Sequence, residues 1–284
     1  MLWGCCVACS TALAQEAEDV SPWSRPRLHD WTLSFEARAW YAAPSGDLRL
    51  PGGVAADDKI EMDELGADSP RLSPYGEVRV QRGKLRFGFS GSFFSADEGS
   101  TIEATRTLGE VDVYAGEHAR LDFSHWSLDA LALYEVFSYV DGSTVDGRDE
   151  VRIRGSLGGG LRVSGVDFDF AIDPTDPGRT GGETLTSGYD GTFVELVAAA
   201  ALDIDLYERW YLSVEATGGA FGLDDRTSTS FSIEPTLAWH PNSRVGVEVG
   251  YRMLIHRMED GESPGEFEWN GSLAGVFAGV SVRF

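Results

Sequence analysis

The chain has 284 residues, with 46 Asp and Glu against 23 Lys and Arg for a net charge of −23. This length suits one large domain with a sizeable core, and this acidity excludes a general nucleic-acid binder, which needs a basic face. Hydrophobic content of 42% and aromatic content of 11% exclude a disordered acidic tail, while 34 glycines and no helical stretch point to an all-β protein. No apolar run reaches the ~18 residues of a membrane-spanning helix.

Residues 1–14 read as a short export signal. Leu2, Trp3, Cys5, Cys6, Val7, Ala8 and Cys9 form a weak apolar segment, and Ala12-Leu13-Ala14 supplies a small-x-small cleavage site before Gln15. No Lys or Arg precedes Arg25, so the basic start of such a signal is missing, as when a start codon is placed too far downstream. Lipidation of Cys9 is disfavoured because Cys6 stands where that signal carries Leu. All three cysteines fall in the removed segment, so neither disulfides nor thiol chemistry is expected in the mature chain. Residues 15–30 are expected to be a periplasmic tail, and 31–284 one undivided domain.

From Trp31 onward the period is two. Trp31, Leu33, Phe35, Ala37, Ala39 and Tyr41 alternate with Thr32, Ser34, Glu36, Arg38 and Trp40. The pattern returns at Leu72–Val80 and Leu85–Phe93, separated by a tight hairpin at Arg82-Gly83. Further runs lie at about 118–138, 151–172, 191–207, 210–221, 229–240, 244–257 and 268–284. This makes ten strands, with eight or twelve as alternatives, each long enough for the ~9–11 residues that cross a bilayer as tilted strand. Two runs change phase, near Ser124–Trp126 and at Gly165, as at a β-bulge or where a strand extends beyond a membrane.

The connections alternate in length. Arg82-Gly83, Glu208-Arg209 and Pro241-Asn242-Ser243 are short, whereas 43–70, 96–117, 173–190 and 259–267 are long and polar. Only 139–150, on the short side, breaks the scheme. This asymmetry predicts a closed antiparallel up-and-down transmembrane β-barrel, with short periplasmic turns and long extracellular loops, rather than a secreted sandwich.

The face opposite the apolar one carries Glu36, Arg38, Glu77, Arg79, Lys84, Arg86, Arg152, Arg154, Arg162, Glu195, Glu215, Glu234, Glu248 and Arg252. A narrow lumen lined by mixed Arg and Glu is expected to pair its charges and plug itself. Interfacial girdles are expected from Trp31, Trp210, Trp239 and Phe284 at one end. Trp40, Tyr41, Phe93, Phe94, Phe221, Phe267 and Trp269 fall at the other.

The chain ends with Val276, Ala278, Val280, Val282 and Phe284 on alternate positions. Here it resembles the C-terminal assembly signal of bacterial outer-membrane barrels, which implies recognition by the barrel-assembly machinery. A wider resemblance, to small proteobacterial outer-membrane barrels of uncharacterised function, covers roughly residues 31–284. It rests on Ile60–Asp68, on Arg209-Trp210-Tyr211-Leu212 through Gly218–Gly222, and on Val249-Gly250-Tyr251-Arg252. It implies the outer membrane of a Gram-negative bacterium, lipid and lipopolysaccharide as partners, no cofactor, and either a structural or surface-interaction role or a narrow pore.

The residues offer little chemistry. Ten-stranded outer-membrane proteases use acidic pairs and an Asp-x-His element, and no histidine here follows an Asp by two positions. His125-Trp126-Ser127 resembles the His-x-Ser element of outer-membrane lipid A deacylases, with Asp129 next on the same face. On a strand, i and i+2 share a face, so His125 and Ser127 could form a base–nucleophile pair, against the alternative of a satisfied interior histidine. The loop acids Asp47, Asp57, Asp58, Glu61, Asp63, Glu64 and Asp68 lack the spacing of a Ca²⁺ loop and read as a solvated acidic loop. Gly155–Gly160 lacks the Lys-Ser/Thr of a phosphate loop, and its glycines instead make room in the lumen or let the wall bend.

Overall fold

A sheet with an apolar face and no second layer can hide its edges only by closing on itself. The computed structural model describes residues 31–52, 59–141, 144–145, 148–149, 151–173, 184–207, 209–242, 244–262 and 265–284. The expected export signal with its cysteines, the tail at 15–30, and Asp57 and Asp58 lie outside the described residues. Ten long strands follow one another: β1 (Trp31–Arg49), β2 (Arg71–Arg82), β3 (Leu85–Thr101), β4 (His118–Val140) and β5 (Val151–Asp173). They continue as β6 (Leu185–Leu206), β7 (Trp210–Leu223), β8 (Arg226–Trp239), β9 (Val245–Asp260) and β10 (Phe267–Arg283). Each pairs antiparallel with its chain neighbour, and β10 returns to β1 from Ser34↔Arg283 to Arg49↔Glu268, closing an up-and-down barrel. Strand number agrees with the sequence reading, though β6 starts at 185 rather than 191 and β8 at 226 rather than 229.

One end of the barrel, the turn end, carries tight connections. The β2–β3 hairpin turns at Gly83-Lys84 rather than Arg82-Gly83: Arg82 pairs with Leu85, and Gly83 takes the φ of +59° that the turn requires. At the opposite, loop end the segments 59–70 and 102–117 fold over the mouth. The β7–β8 connection there is tight, turning at Asp224-Asp225 with Leu223 paired to Arg226. The rim is therefore low at β7–β8, with strands of 14 residues, and high at β4–β6, with strands of 22 or 23.

The strands keep one parity but exchange polarity along their length. On β5, Arg162, Ser164, Val166, Phe168, Phe170 and Ile172 all face inward, while Leu161, Val163, Gly165, Asp167 and Asp169 face outward. Toward the turn end the outer face is apolar and the lumen polar. Toward the loop end the outer face is polar and the interior apolar. β3 repeats this, with Phe89 and Phe93 outside giving way to Ser95 and Asp97, and Arg86, Ser90 and Ser92 inside giving way to Phe94 and Ala96. The phase changes at Ser124–Trp126 and Gly165 are thus strand extensions and not bulges: Trp126 pairs with Gly165 in unbroken register. The bulge in this pair lies lower, between Gly155 and Ser156, where β4 carries Val136 as an extra residue. Gly158 and Gly160 lie just beyond it, where an added Cβ would overlap the carbonyl oxygens of Ala132 and Ala130. Their glycines serve the bend of the wall. At ~3.3 Å per residue and ~40° tilt, a 23-residue strand reaches roughly 55 Å, about twice the ~25 Å apolar band of an outer-membrane barrel. The loop-end extension is a collar with an inward core, built like a water-soluble barrel.

Closure rests on the last residue as well. Phe284 donates its N–H to the Leu33 carbonyl at 2.9 Å, and its ring lies edge-on to Phe35 at 6.0 Å. Replacing Phe284 with Asp is expected to cost about 1–2 kcal/mol. The measurement is the fraction of refolded protein that migrates as a compact band on unboiled gels; an unchanged fraction would count against this role.

Candidate functional site

Many charged side chains converge in the lumen, which is built in layers along the barrel axis. Nearest the turn end, β1, β2, β8 and β9 aim long side chains at one point. The guanidinium of Arg38 donates to Glu248 at 2.7 Å, to Glu234 at 2.6 Å and to Glu36. It also lies over the rings of Tyr75 and Phe277, 4.9 and 4.8 Å from their centroids, and these two rings meet each other edge-to-face. Arg79 donates to Glu36 at 2.8 Å and to both oxygens of Glu77, and Arg86 reaches Asp203 and Glu215 at 3.2 Å. Tyr75 donates its hydroxyl to Glu234 at 2.9 Å, and Arg252 lies over the Tyr75 ring at 4.1 Å. Arg154 stands opposite Asp203 and Arg152 opposite Asp205 in the β5–β6 register. Burial of so many ions is tolerated because Glu36, Glu77, Glu234, Glu248 and Asp203 each accept more than one hydrogen bond.

Of the residues expected in this network, Glu36, Arg38, Glu77, Arg79, Arg86, Glu215, Glu234, Glu248 and Arg252 meet there. Lys84 does not. It belongs to the turn, its side chain is exposed, and it makes no ion pair among the described residues. Tyr75, Asp203, Asp205 and Tyr211 were missed. Asp203 and Asp205 alternate with Leu202, Ile204 and Leu206, so the same period that found the others marks them as inward.

Above this layer Arg162 grips Asp129 through two bonds, at 2.6 and 3.1 Å, and also donates to Ser230 and Thr217. Glu195 accepts from Ser228 and Ser230. His125 and Ser127 do share the inward face, but their bonds go elsewhere. His125 Nε2 lies 3.1 Å from His256 Nδ1, and Ser127 shares a hydrogen bond of 3.0 Å with Ser92. Asp129 is taken by Arg162, so it cannot orient an imidazole toward the serine. Both His125 and Ser127 are 1% exposed, and the Trp269 ring packs on His125 with centroids 5.7 Å apart, which closes the pair to substrate.

The collar forms the third layer. Phe123, Phe168, Phe267 and Trp269 stack at its centre beside Leu48 of β1, and Ile60, Met62, Leu65, Ile102, Leu108 and Val113 close over them from the two loops. Here two expectations are corrected. Trp40 and Trp269 are 0% and 1% exposed and belong to the inner core, not to an interfacial girdle. Their even and odd positions on β1 and β10 face inward where the interior has become apolar; Phe94 and Phe267 follow the same rule. Trp31, Tyr41, Trp210 and Trp239 do face outward, at 40–55% exposed, as do Val276, Ala278, Val280, Val282 and Phe284. Of the loop acids, Asp47 and Glu64 pair with Lys59 and Arg106. Among the described residues no group of three or more His, Cys, Asp or Glu could hold a metal.

No family model matches the chain, and no curated protein matches it. Its structure is similar to that of the outer membrane protease OmpT from Escherichia coli, with a TM-score of 0.50 and 9% identity over 89% of this chain and 97% of that one. Ail, the attachment invasion locus protein of Yersinia pestis, gives a TM-score of 0.31 at 11% identity over 89% of this chain and 99% of its own. Neisserial surface protein A gives 0.31 at 13% identity over 89% of this chain and 97% of its own. At such identities the likeness is one of fold: the chain has the architecture of a small outer-membrane β-barrel.

Proposed function

We propose that this chain is a non-enzymatic barrel of the outer membrane of a Gram-negative bacterium, with a closed lumen and a structural or surface-interaction role. The observation that carries this reading is the double closure: a paired Arg and Glu layer beneath an apolar core capped by loops. Solute flow would have to break both. The inversion of polarity along the walls supports a membrane position for the lower half, because only lipid rewards an apolar outside around a polar inside. In this reading lipid and lipopolysaccharide contact the outer wall, and the barrel-assembly machinery reads the outward residues from Val276 to Phe284. Proteolysis, the activity of the Escherichia coli neighbour, and lipid A hydrolysis by His125 and Ser127 are not part of it.

The test is conductance. Reconstituted in planar bilayers, the protein is expected to give no large steady current, and membrane fractionation should place it with outer membranes in a heat-modifiable form. A large, stable wild-type conductance would establish the narrow pore instead.

The collar gives a second test. Asp167 lies opposite Asp190, and Asp169 opposite Asp122, on the outer face above the apolar band. Burial, then the Asp169, Asp190 and Asp122 carboxylates, hold the Asp167 carboxyl above its usual range. A raised folded value favours the fold at low pH, and that contribution is lost as pH rises through the carboxylate range. Asp167→Asn is therefore expected to stabilise the protein by a few tenths of a kcal/mol at pH 7 and low salt, after screening. Urea midpoints of variant and wild type should converge near pH 3.

A further inference from the structure

The wall of the collar has a notch. β6 pairs with β5 up to Leu185↔Ile172, but on its other side the ladder to β7 stops at Leu196↔Ala220. Above that point no strand among the described residues pairs with this side of β6. Residues 185–195 thus form an edge of roughly 35 Å at ~3.3 Å per residue. The Thr192 carbonyl points across the notch, where it accepts from Arg226 at 3.2 Å. Backbone groups alternate sides along a strand, so those of Thr186, Gly188 and Asp190 point the same way. Behind the edge, side chains seal the interior: Tyr189 stacks on Phe267 with centroids 3.6 Å apart and donates to Asp260 at 2.6 Å. A comparable edge on β3, beyond Ser92, is covered, because Arg71 donates to the Asp97 carbonyl and Ser100 to the Glu64 carbonyl. The β6 edge has none of the Lys, Pro or bulges that commonly blunt one.

We infer that this edge takes up an extended, cationic peptide segment as an added strand, an inference that rests on the surface-interaction role proposed above. Main-chain hydrogen bonds supply the affinity, as in strand addition to other open sheet edges. The charge of the partner follows from the wall beside it. Asp190 faces outward on the edge strand, Asp167 is its cross-strand neighbour, and Asp169 stands opposite Asp122 close by. The hairpin tip below adds Asp224 and Asp225, while its Arg226 is engaged by Asp260. Lysine or arginine on the outward face of an added strand would sit opposite or diagonal to Asp190. Apolar side chains on its inward face would meet Tyr189. At the foot of the edge they would enter a cleft of about 510 Å³ whose lining includes Phe193, Phe221 and Leu223. A second copy of the chain fits less well, since pairing two β6 edges brings two acidic walls together.

The experiment uses the full barrel refolded in detergent and a labelled synthetic peptide of alternating Lys and Val, about nine residues long, followed by fluorescence anisotropy. Saturable one-to-one binding is expected, and none by a Glu–Val peptide. Methylating the backbone nitrogens of all Lys residues blocks one edge of the peptide, and methylating those of all Val residues blocks the other. One of these two peptides should bind about tenfold more weakly than the other. Asp190→Lys should weaken the Lys–Val peptide at least tenfold, and Thr186→Pro, which removes an edge N–H, severalfold. Both positions lie outside the lumen, so unboiled-gel mobility should stay that of wild type. Equal binding of the two methylated peptides would overturn the added strand, and wild-type binding by Asp190→Lys would overturn the cationic partner. A dimer of the barrel alone that Thr186→Pro dissolves would overturn the peptide in favour of a second copy. Absence of binding by a barrel that carries no current would overturn the edge site and leave the closed barrel standing.

Discussion

Arg38→Met is expected to cost about 3–5 kcal/mol of stability, the largest loss from any single lumen substitution, because it strips one cation from three buried carboxylates. Glu36, Glu234 and Glu248 all accept from Arg38, and only Glu36 retains a second arginine at hydrogen-bond distance. The urea midpoint of the refolded barrel, followed by gel mobility, measures the loss. Arg38→Lys should lie between the two, since an ammonium is a point charge and cannot span three acids at once. Adding Glu248→Gln to Arg38→Met should return part of the stability by removing one uncompensated charge, a coupling that a double-mutant cycle isolates. If Arg38→Met were as stable as wild type, water would be solvating these groups and the lumen would be a pore after all.

Much of this architecture was legible from period two. Each strand's parity follows from alternation, and parity alone put Glu36, Arg38, Glu77, Arg79, Glu248 and Arg252 on one inner surface. The alternation of loop lengths added the direction of the barrel. What parity could not supply was the environment of that inner surface along its length. Trp40 shares parity with Arg38, so it was readable as inward, yet an aromatic near a strand end suggests a girdle when the strand is taken to end at the membrane. The strand continues to Arg49, and Trp40 lies at mid-length. Trp269 does lie at a strand end, the third residue of β10, but that end stands in the collar, where the inward face is apolar. The pairing of His125 with His256 spans 131 residues and depends on the stagger of the closed sheet, which no local pattern encodes. The 43–70 loop reads as a solvated acidic loop because seven acids there face only Arg49 and Lys59 as cations. Ile60, Met62 and Leu65 nevertheless turn inward as a set, and only a mouth already lined with aromatics gives them something to cover.

That cover gives the collar its own stability, and Phe168→Ala is expected to show it. Phe168 is wholly buried, stacked on Phe123 with centroids 4.6 Å apart and tilted 20°, and its ring lies 5.9 Å from both Phe267 and Trp269. Truncating it leaves a cavity among rigid rings that cannot collapse toward one another, at a cost of about 3–5 kcal/mol. The lower barrel keeps its hydrogen-bonded closure and its paired charges, so the loss should appear as local opening of the collar rather than global unfolding. Limited proteolysis should then cut within 59–68 or 102–113, while the band on unboiled gels stays compact and the bilayer current stays absent. Simultaneous loss of gel compactness and collar protection would show that the two halves unfold as one unit. A current appearing in Phe168→Ala would show that the apolar core, and not the Arg38 layer, is what closes the lumen.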